Sequence, residues 1–214
     1  MMQISLEPLL LSFRVGLVCL GLYLTFGVLL GYYLSKDKGV VATICDICVT
    51  LPLVFPPIAL GYFLLMLFGQ YGMFSFLDLL FSFEAVVLAS FIAGLPLVVK
   101  PIESAFNEKT KTLELISYTL GRSWLSTFIL VSLPCIAKTL ATSLFLGFAR
   151  SIGEVGITLL IGGNIIGKTE TISLAIYNSA LSAEYEVASF YAVILGVIAL
   201  VIFFTLRILQ KSNF

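Results

Sequence analysis

The chain has 214 residues, of which 60% are hydrophobic and 11% are charged, and its formal net charge is zero. Soluble domains carry about 25% charged residues, so this composition and a mean hydropathy of +1.11 exclude an ordinary soluble domain. The apolar runs are also too long and too continuous for the alternating strands of an outer-membrane barrel. The sequence therefore predicts an all-α integral membrane protein.

Five apolar segments are long enough for membrane helices, which need about twenty residues to cross the bilayer core. In chain order they are Val15–Leu34, Ile47–Phe68, Leu79–Val99, Cys135–Leu160 and Val187–Leu206. The third segment carries Glu84 near its start, and the fourth carries Lys138, Arg150 and Glu154. We predict five spans and leave open a sixth, short or re-entrant segment between the last two.

The positive-inside rule gives the orientation of these spans. With the N-terminus outside, most cations fall on the inner side: Lys36, Lys38, Lys100, Lys109, Lys111, Arg122, Arg207 and Lys211, against Arg14 and Lys168 outside. The N-terminus lacks the basic region of a cleaved signal peptide, so we expect the first span to remain as an anchor. The sequence thus predicts a cell-membrane protein whose loop 100–134 and C-terminus are cytoplasmic.

Prolines interrupt the second predicted span at Pro52, Pro56 and Pro57. A proline removes a backbone hydrogen bond, so this span is predicted to be kinked or locally unwound. Irregular backbone survives at membrane depth only where protein or a water-filled path covers it. This makes Pro56 and Pro57 candidates for the lining of a translocation path, although proline-broken helices also occur in plain bundles.

The loop between the third and fourth spans is a polar stretch in an apolar chain. Its apolar residues fall on two helical faces: Ile102, Ala105 and Phe106, then Leu113, Ile116 and Leu120. We predict two short amphipathic helices with a break near 107–112, a turn at Gly121, and re-entry into the membrane at Pro134 as a first helical residue. The residues alone leave open whether this is an interfacial segment or a docking site for another protein.

Arg150 and Glu154 lie four residues apart, so their side chains can meet on one face of a helix. Ionisable residues inside a membrane usually face a partner or a cavity, because a lone charge there is costly. We predict a neutralising pair near the translocation path that helps to hold two helices in one of two packings. A purely structural ion pair is the alternative.

Two apparent motifs carry little weight. Cys45 and Cys48 form a C-x-x-C, but the chain has no histidine and no second such pair, so the usual zinc ligand sets cannot be assembled locally and we interpret the cysteines as free thiols packed among helices. Without a histidine, a Ser-His-Asp triad is excluded. The segment from Gly162 to Thr169 reads GGNIIGKT, a formal match to the phosphate-binding loop. That loop needs a soluble parallel sheet, so we interpret these glycines as turn residues and expect neither a cofactor, nor a metal site, nor an ATPase site.

Gly121, followed after nine residues by Val131-Ser132-Leu133-Pro134, resembles the loop signature G-x9-I-x-L-P of binding-protein-dependent ABC importer permeases. The family's Glu-Ala-Ala falls on Leu115-Ile116-Ser117, with Glu114 one position earlier, and Val131 replaces isoleucine. In that family the loop holds a coupling helix that docks in a cleft of the ATP-hydrolysing subunit. The resemblance implies an ATPase-coupling loop that includes Glu114, Gly121, Val131, Leu133 and Pro134.

Other segments resemble the molybdate permeases of this family. The stretch from Phe148 to Gly156 is similar to F-A-R-x-x-G-E-F-G, and that from Gly163 to Thr171 to G-N-I-P-G-[RK]-T-x-T, with Val155 and Ile166 as departures. The resemblance implies a single transmembrane domain, residues 1–214, with the type I ABC importer permease fold.

The same resemblance implies the membrane subunit of an ATP-driven molybdate importer that works by alternating access. Its implied partners are two ATPase subunits, an extracytoplasmic molybdate-binding protein, a second copy of this chain and membrane lipid, without nucleic acid. A tungstate or sulfate/thiosulfate permease of the same family, or a self-sufficient secondary carrier or channel, is the alternative.

Overall fold

The computed structural model describes residues 5–211, with side chains up to residue 208, and this part of the chain is helical with no strand. Residues 1–4, which belong to the expected non-cleaved N-terminus, and the side chain of Lys211 lie outside the described residues. The helices are α1 Glu7–Lys36, α2 Val40–Val54, α3 Pro57–Phe68, α4 Phe83–Thr119, α5 Trp124–Cys135, α6 Ala137–Ile152, α7 Gly156–Gly162, α8 Ile172–Leu181 and α9 Tyr185–Lys211.

Three helices, α1, α4 and α9, are long and apolar enough to cross a membrane, and the pair α5 and α6, bent by 75°, is a fourth candidate if it is counted as one span. The predicted second span consists of two shorter helices, α2 and α3. The short apolar helix α8 lies where the sequence left a sixth segment open. The count of five or six spans remains a prediction, because length and composition support three or four.

The break between α2 and α3 confirms the effect of the prolines. Helix α2 ends at Val54, and α3 begins at Pro57, whose missing N–H has no partner to lose in a first turn. Pro52 lies inside α2 and does not end it.

Three local predictions are wrong. No break separates two helices near 107–112, because α4 continues through a π-helical turn at Phe106–Thr110 that contains neither proline nor glycine. Pro134 does not begin the next helix; it lies near the end of α5, just before the bend at Ile136. The fourth predicted span is also not continuous, since α6 ends at Ile152 and α7 begins at Gly156.

Two apolar clusters pack against different faces of α4. The larger cluster joins α4 to α1, α5 and α6 and contains Val15, Cys19, Tyr23, Val86, Val87, Val98, Ile102, Phe106 and Phe128. The smaller cluster joins α4 to α3 and α7 and contains Ala85, Ala89, Ala93, Ile157 and Ile161. Helix α4 is therefore the element that the two clusters share.

Candidate functional site

The segment 111–125, which we call the coupling segment, exposes large apolar side chains at the C-terminal end of α4 and the start of α5. They are Leu113, Leu115, Ile116, Leu120 and Leu125, and Leu120 is 74% exposed. The neighbouring residues Lys111 and Arg122 are also exposed, so the surface combines apolar and cationic groups. A contiguous apolar patch with polar neighbours is typical of a surface that contacts another protein.

Gly121 ends α4 and reverses the chain. Its φ of +79° lies in the left-handed region that favours glycine. Its amide donates to the Tyr118 carbonyl at 2.9 Å, and the Arg122 amide donates to the Ser117 carbonyl at 3.2 Å. This pair of hydrogen bonds is a Schellman motif, which satisfies the last carbonyls of the helix. The glycine of the family signature thus has a local physical reason in this chain.

Glu114 connects the coupling segment to two other helices. Its carboxylate is buried and accepts hydrogen bonds from Lys36 at 2.6 Å, Ser132 at 2.7 Å and Thr110 at 2.8 Å. Lys36 is the last residue of α1, and Ser132 lies in α5. A hydrogen-bonded carboxylate in this position fixes the end of α4 to both helices.

The remaining signature residues lie in α5, beyond the C-terminal end of the exposed coupling segment. Val131 and Leu133 are half-buried, Leu133 packs against the larger apolar cluster, and Pro134 is exposed. Between Val131 and Leu133, Ser132 is buried against Glu114. The position that the signature leaves variable therefore makes the hydrogen bond here.

An aromatic cluster packs beside the coupling segment, between α1, α4 and α5. The ring of Tyr32 makes edge contacts with Phe106 at 5.0 Å and with Phe128 at 4.8 Å between centroids. Trp124 stacks on Phe128 and donates from its indole nitrogen to the Tyr32 hydroxyl at 3.1 Å. These large rigid side chains connect α1 to α4 and α5 through ring contacts.

A chain of ion pairs holds α2 beside α4 at the same end of the molecule. Lys100 Nζ lies 2.7 Å from an Asp46 oxygen and 2.6 Å from a Glu103 oxygen. The other Glu103 oxygen lies 3.0 Å from Lys38 Nζ. Three of the cations used to predict the orientation, Lys36, Lys38 and Lys100, are therefore neutralised by carboxylates.

Asp37 shapes the connection between α1 and α2. The Gly39 amide donates to its carboxylate at 2.8 Å, and the Tyr33 hydroxyl donates at 2.8 Å. These hydrogen bonds, that of Gly39 first, hold the pKa of Asp37 below its usual value. The charged side chain therefore anchors the residue that precedes α2.

Arg150 and Glu154 form the predicted pair at the break between α6 and α7. An Arg150 guanidinium nitrogen lies 2.6 Å from a Glu154 oxygen. The other Glu154 oxygen accepts the Ile157 amide at 2.8 Å, so the carboxylate also caps the first turn of α7. The Glu154 side chain is 1% exposed and that of Arg150 is 33% exposed. Glu154 is committed to these two donors, and Arg150 is the member of the pair that is accessible.

The two helix breaks meet in space. A Cβ added at Gly156 would lie 2.7 Å from the Pro57 Cβ, and one added at Gly61 would lie 3.1 Å from the Ile157 Cα. The backbones of α3 and α7 thus approach closely just after each break, while Pro56 and Pro57 remain exposed. The structure brings the predicted path residues into one region, which we call the helix-break region.

Helix α6 separates the helix-break region from the coupling segment. It has 16 residues, so it spans about 24 Å at the α-helical rise of roughly 1.5 Å per residue. The predicted coupling residues and the predicted path residues therefore lie in two regions that are joined by one helix. Their connection through α5 and α6 is continuous along the chain.

The phosphate-loop look-alike is a turn, as expected. Gly163 and Gly167 adopt φ of +74° and +75° between α7 and α8, and a helix rather than a strand precedes them. Asn164 and Asn178 exchange side-chain hydrogen bonds at 2.6 and 3.1 Å, which closes the loop. Among the described residues, no group of three or more metal-ligating side chains is assembled.

Comparison with known proteins agrees with this architecture. The family model described as "Binding-protein-dependent transport system inner membrane component" matches residues 24–213. The chain is 35% identical over 179 residues to the "Molybdenum transport system permease protein ModB" of Azotobacter vinelandii, covering 80% of this chain and 79% of that protein. It is 32% identical over 218 residues to the "Probable transport system permease protein NifC" of Clostridium pasteurianum, covering 99% of this chain and 76% of that protein.

A solved structure shows the same fold at low sequence identity. The crystal structure of a bacterial ABC transporter involved in the import of the acidic polysaccharide alginate matches with a TM-score of 0.69 and 19% identity, over 96% of this chain and 80% of that chain. The predicted type I ABC importer permease fold is thereby confirmed. The chain belongs to the family of binding-protein-dependent transport system inner membrane components.

Proposed function

We propose that this protein is the membrane-spanning subunit of an ATP-driven importer whose substrate is molybdate, a tetrahedral oxyanion. The observation that carries the proposal is the coupling segment, an exposed apolar surface held to α1 and α5 through Glu114. Molybdenum transport is stated for the relative from Azotobacter vinelandii, and this supports molybdate as the substrate.

The coupling segment receives the conformational change of a separate ATPase subunit. Apolar side chains such as Leu115 and Leu120 dock on that subunit, and their burial drives the association. Because Glu114 bonds to Lys36 and Ser132, a displacement of the segment moves the end of α1 and the C-terminal part of α5 together. This is the rigid-body mode by which alternating access operates.

The helix-break region forms part of the translocation path. Irregular backbone at two adjacent breaks needs a covered or water-filled surrounding. Pro56 and Pro57 are exposed beside it, and Arg150 presents a partly accessible guanidinium whose charge is balanced by Glu154. A balanced pair lets a dianion pass without holding it tightly, and selectivity then belongs to the binding protein.

The assembly contains two copies of this chain, two ATPase subunits and an extracytoplasmic binding protein. Residues 1–214 form one transmembrane domain with its N-terminus outside, and residues 100–134 face the cytoplasm. The C-terminal end of α1, the start of α2 and the coupling segment lie at one end of the molecule, where Lys36, Lys38 and Lys100 cluster. This clustering supports the cytoplasmic orientation.

Reconstitution tests the proposal. Proteoliposomes that contain the protein, its cognate ATPase and the binding protein are loaded with ATP, and uptake of labelled molybdate is followed with unlabelled sulfate or tungstate as competitor. We expect uptake with the active ATPase, none with a hydrolysis-deficient one, and little competition by sulfate. Uptake without ATP hydrolysis supports a secondary carrier and contradicts the importer; stronger competition by sulfate than by molybdate contradicts the substrate.

A further inference from the structure

A fully buried tyrosine lies at an irregular turn in α1. Tyr23 is 0% exposed and begins the π-helical turn Tyr23–Gly27 inside the helix. π-Helical turns inside α-helices are rare and occur frequently at functional sites. In the sequence, the position of Tyr23 in an apolar run does not distinguish it from any other aromatic residue of a helix core.

The Tyr23 hydroxyl joins three helices. Its proton is shared between two carbonyl acceptors of α4, that of Ser90 at 3.0 Å and that of Phe91 at 3.1 Å. The hydroxyl oxygen also lies 2.9 Å from the Ser151 hydroxyl of α6. With the Tyr23 proton on the carbonyls, the Ser151 hydroxyl is the donor to Tyr23, and it has two carbonyls as alternative acceptors, that of Gly147 at 2.9 Å and that of Ser90 at 3.3 Å. A buried hydroxyl with several polar partners fixes its neighbours more specifically than apolar packing does.

Two glycines form a slot for the tyrosine ring. A Cβ added at Gly147 in α6 would lie 3.0 Å from a ring carbon of Tyr23, and one added at Gly94 in α4 would collide with its hydroxyl. The ring also stacks on Phe91 with centroids 5.1 Å apart. A Cβ added at Gly94 would also lie 2.9 Å from the Gly147 carbonyl oxygen, so α4 and α6 approach closely at these two glycines. The Tyr23 side chain of α1 packs against both of them.

The residue that Tyr23 holds lies in the last turn of α6. Ser151 directly follows Arg150, and α6 ends at Ile152. The break at 153–155 comes next, and beyond it α7 packs on α3 and on another face of α4. The Tyr23 hydroxyl therefore attaches α6 to α1 and α4 at Ser151, two residues before the break, while α7 belongs to the smaller apolar cluster.

We propose that Tyr23 is a positioning residue for transport. Its hydroxyl holds the last turn of α6, and Arg150 with it, against α1 and α4, so that movement between α6 and α7 takes place at the 153–155 break. Without the hydroxyl, the last turn of α6 loses its hydrogen bond to α1 and keeps the longer contact from Ser151 to the Ser90 carbonyl, so a displacement that starts at the coupling segment no longer reaches the break in full. This inference rests on the proposed function, because it assigns Tyr23 to the coupling of ATP hydrolysis to transport.

The test uses the assembled importer in proteoliposomes and measures ATP hydrolysed per molybdate taken up. Tyr23→Phe removes the hydroxyl and keeps the ring, and Ser151→Ala removes the facing hydroxyl. Tyr191→Phe is the matched control, because Tyr191 is also buried and its hydroxyl donates to a backbone carbonyl, that of Ser5 at 2.7 Å, while the ring that packs with Ile152 is kept. We expect each of the first two variants to raise the ratio about fivefold, the factor that corresponds to one hydrogen bond of about 1 kcal/mol.

The double variant is expected to raise the ratio no further than Tyr23→Phe alone, because Tyr23→Phe already removes the hydroxyl contact that Ser151→Ala removes. Hydrogen exchange of the amides of residues 148–152 in the purified protein is expected to be faster in Tyr23→Phe than in Tyr191→Phe. The inference is overturned if the ratio and the exchange in Tyr23→Phe match the control, or if uptake and hydrolysis fall in proportion to the loss of folded complex. If Tyr23→Phe does not fold, Ser151→Ala decides by the same readouts. A wild-type complex without ATP-dependent uptake contradicts the proposed function instead, and the exchange measurement still tests the inference.

Discussion

Replacement of Glu114 by alanine is the perturbation that most sharply tests how the coupling segment is attached. The carboxylate is buried and accepts hydrogen bonds from Lys36, Ser132 and Thr110. Hydrogen bonds to a charged group contribute about 1.5–3 kcal/mol each. The Thr110 hydroxyl has a second acceptor, the Phe106 carbonyl at 2.9 Å, so it retains a partner in the variant.

The three donors do not contribute equally. The Lys36 side chain is 33% exposed and can be hydrated, so its ion pair is discounted to about 1 kcal/mol or less. The Ser132 hydroxyl is fully buried and loses its acceptor outright. Together we expect Glu114→Ala to lower the free energy of unfolding by about 3 kcal/mol, and Glu114→Gln, which keeps one acceptor oxygen, by about half of that.

Denaturant unfolding of the purified protein in detergent measures these values, and ATP-dependent molybdate uptake measures the functional effect. The matched control is Glu108→Ala, because Glu108 lies in the same helix, is exposed, and accepts from the exposed Ser104 hydroxyl at 2.7 Å. We expect a change below about 0.5 kcal/mol for the control. A Glu114→Ala protein that is as stable as the control and transports normally would refute the attachment of the segment through this residue.

Three further predictions concern the turn, the ion pair and the exposed patch. Gly121→Ala places a side chain at φ +79° and is expected to lower the free energy of unfolding by about 1 kcal/mol and to reduce co-purification with the ATPase. Unchanged stability and unchanged co-purification would contradict the Schellman interpretation. Arg150→Ala leaves the Glu154 carboxylate buried with one donor and is expected to lower the free energy of unfolding by about 3 kcal/mol, and adding Glu154→Gln is expected to recover part of that loss. Strict additivity of the two changes, or full transport by Arg150→Ala, would count against the pair. Leu120→Asp changes an exposed residue and is expected to leave the free energy of unfolding within about 0.5 kcal/mol of the wild type while weakening ATPase binding at least about tenfold. Thr119→Asp is its control, and equal binding by both variants would show that the patch does not dock.

The features that were predicted correctly have local causes. The break before Pro57 follows from the missing proline N–H, and the Arg150–Glu154 contact follows from their spacing on a helix. The turn at Gly121 was readable because a left-handed residue strongly favours glycine. Each of these depends on residues within a few positions of one another.

The features that were missed depend on residues far apart in the chain. Lys36 and Ser132 lie 78 and 18 positions from Glu114, and no local pattern pairs them with it. Tyr23 meets Ser151 across 128 positions. Such contacts arise from helix packing and could not be assigned from one sequence.

Two of the wrong predictions followed a local sequence pattern that the fold does not obey. The polar stretch near Thr110 suggested a break, yet the backbone continues as a π-helical turn, and the hydroxyls satisfy nearby acceptors. The apolar run from Cys135 to Leu160 suggested one span, yet it is interrupted where the Glu154 carboxylate caps a new helix. A buried charge in an apolar run thus marked a helix end.

The central claim is that ATP acts on this permease through the coupling segment. The measurement that tests it most directly is molybdate uptake by ATP-loaded proteoliposomes, with the ATPase and binding protein present, compared between the wild type and Leu120→Asp. The account predicts ATP-dependent uptake by the wild type and uptake lowered at least about tenfold in the variant, although the variant remains folded. Uptake by the variant equal to that of the wild type, or wild-type uptake that continues without ATP hydrolysis, would contradict it.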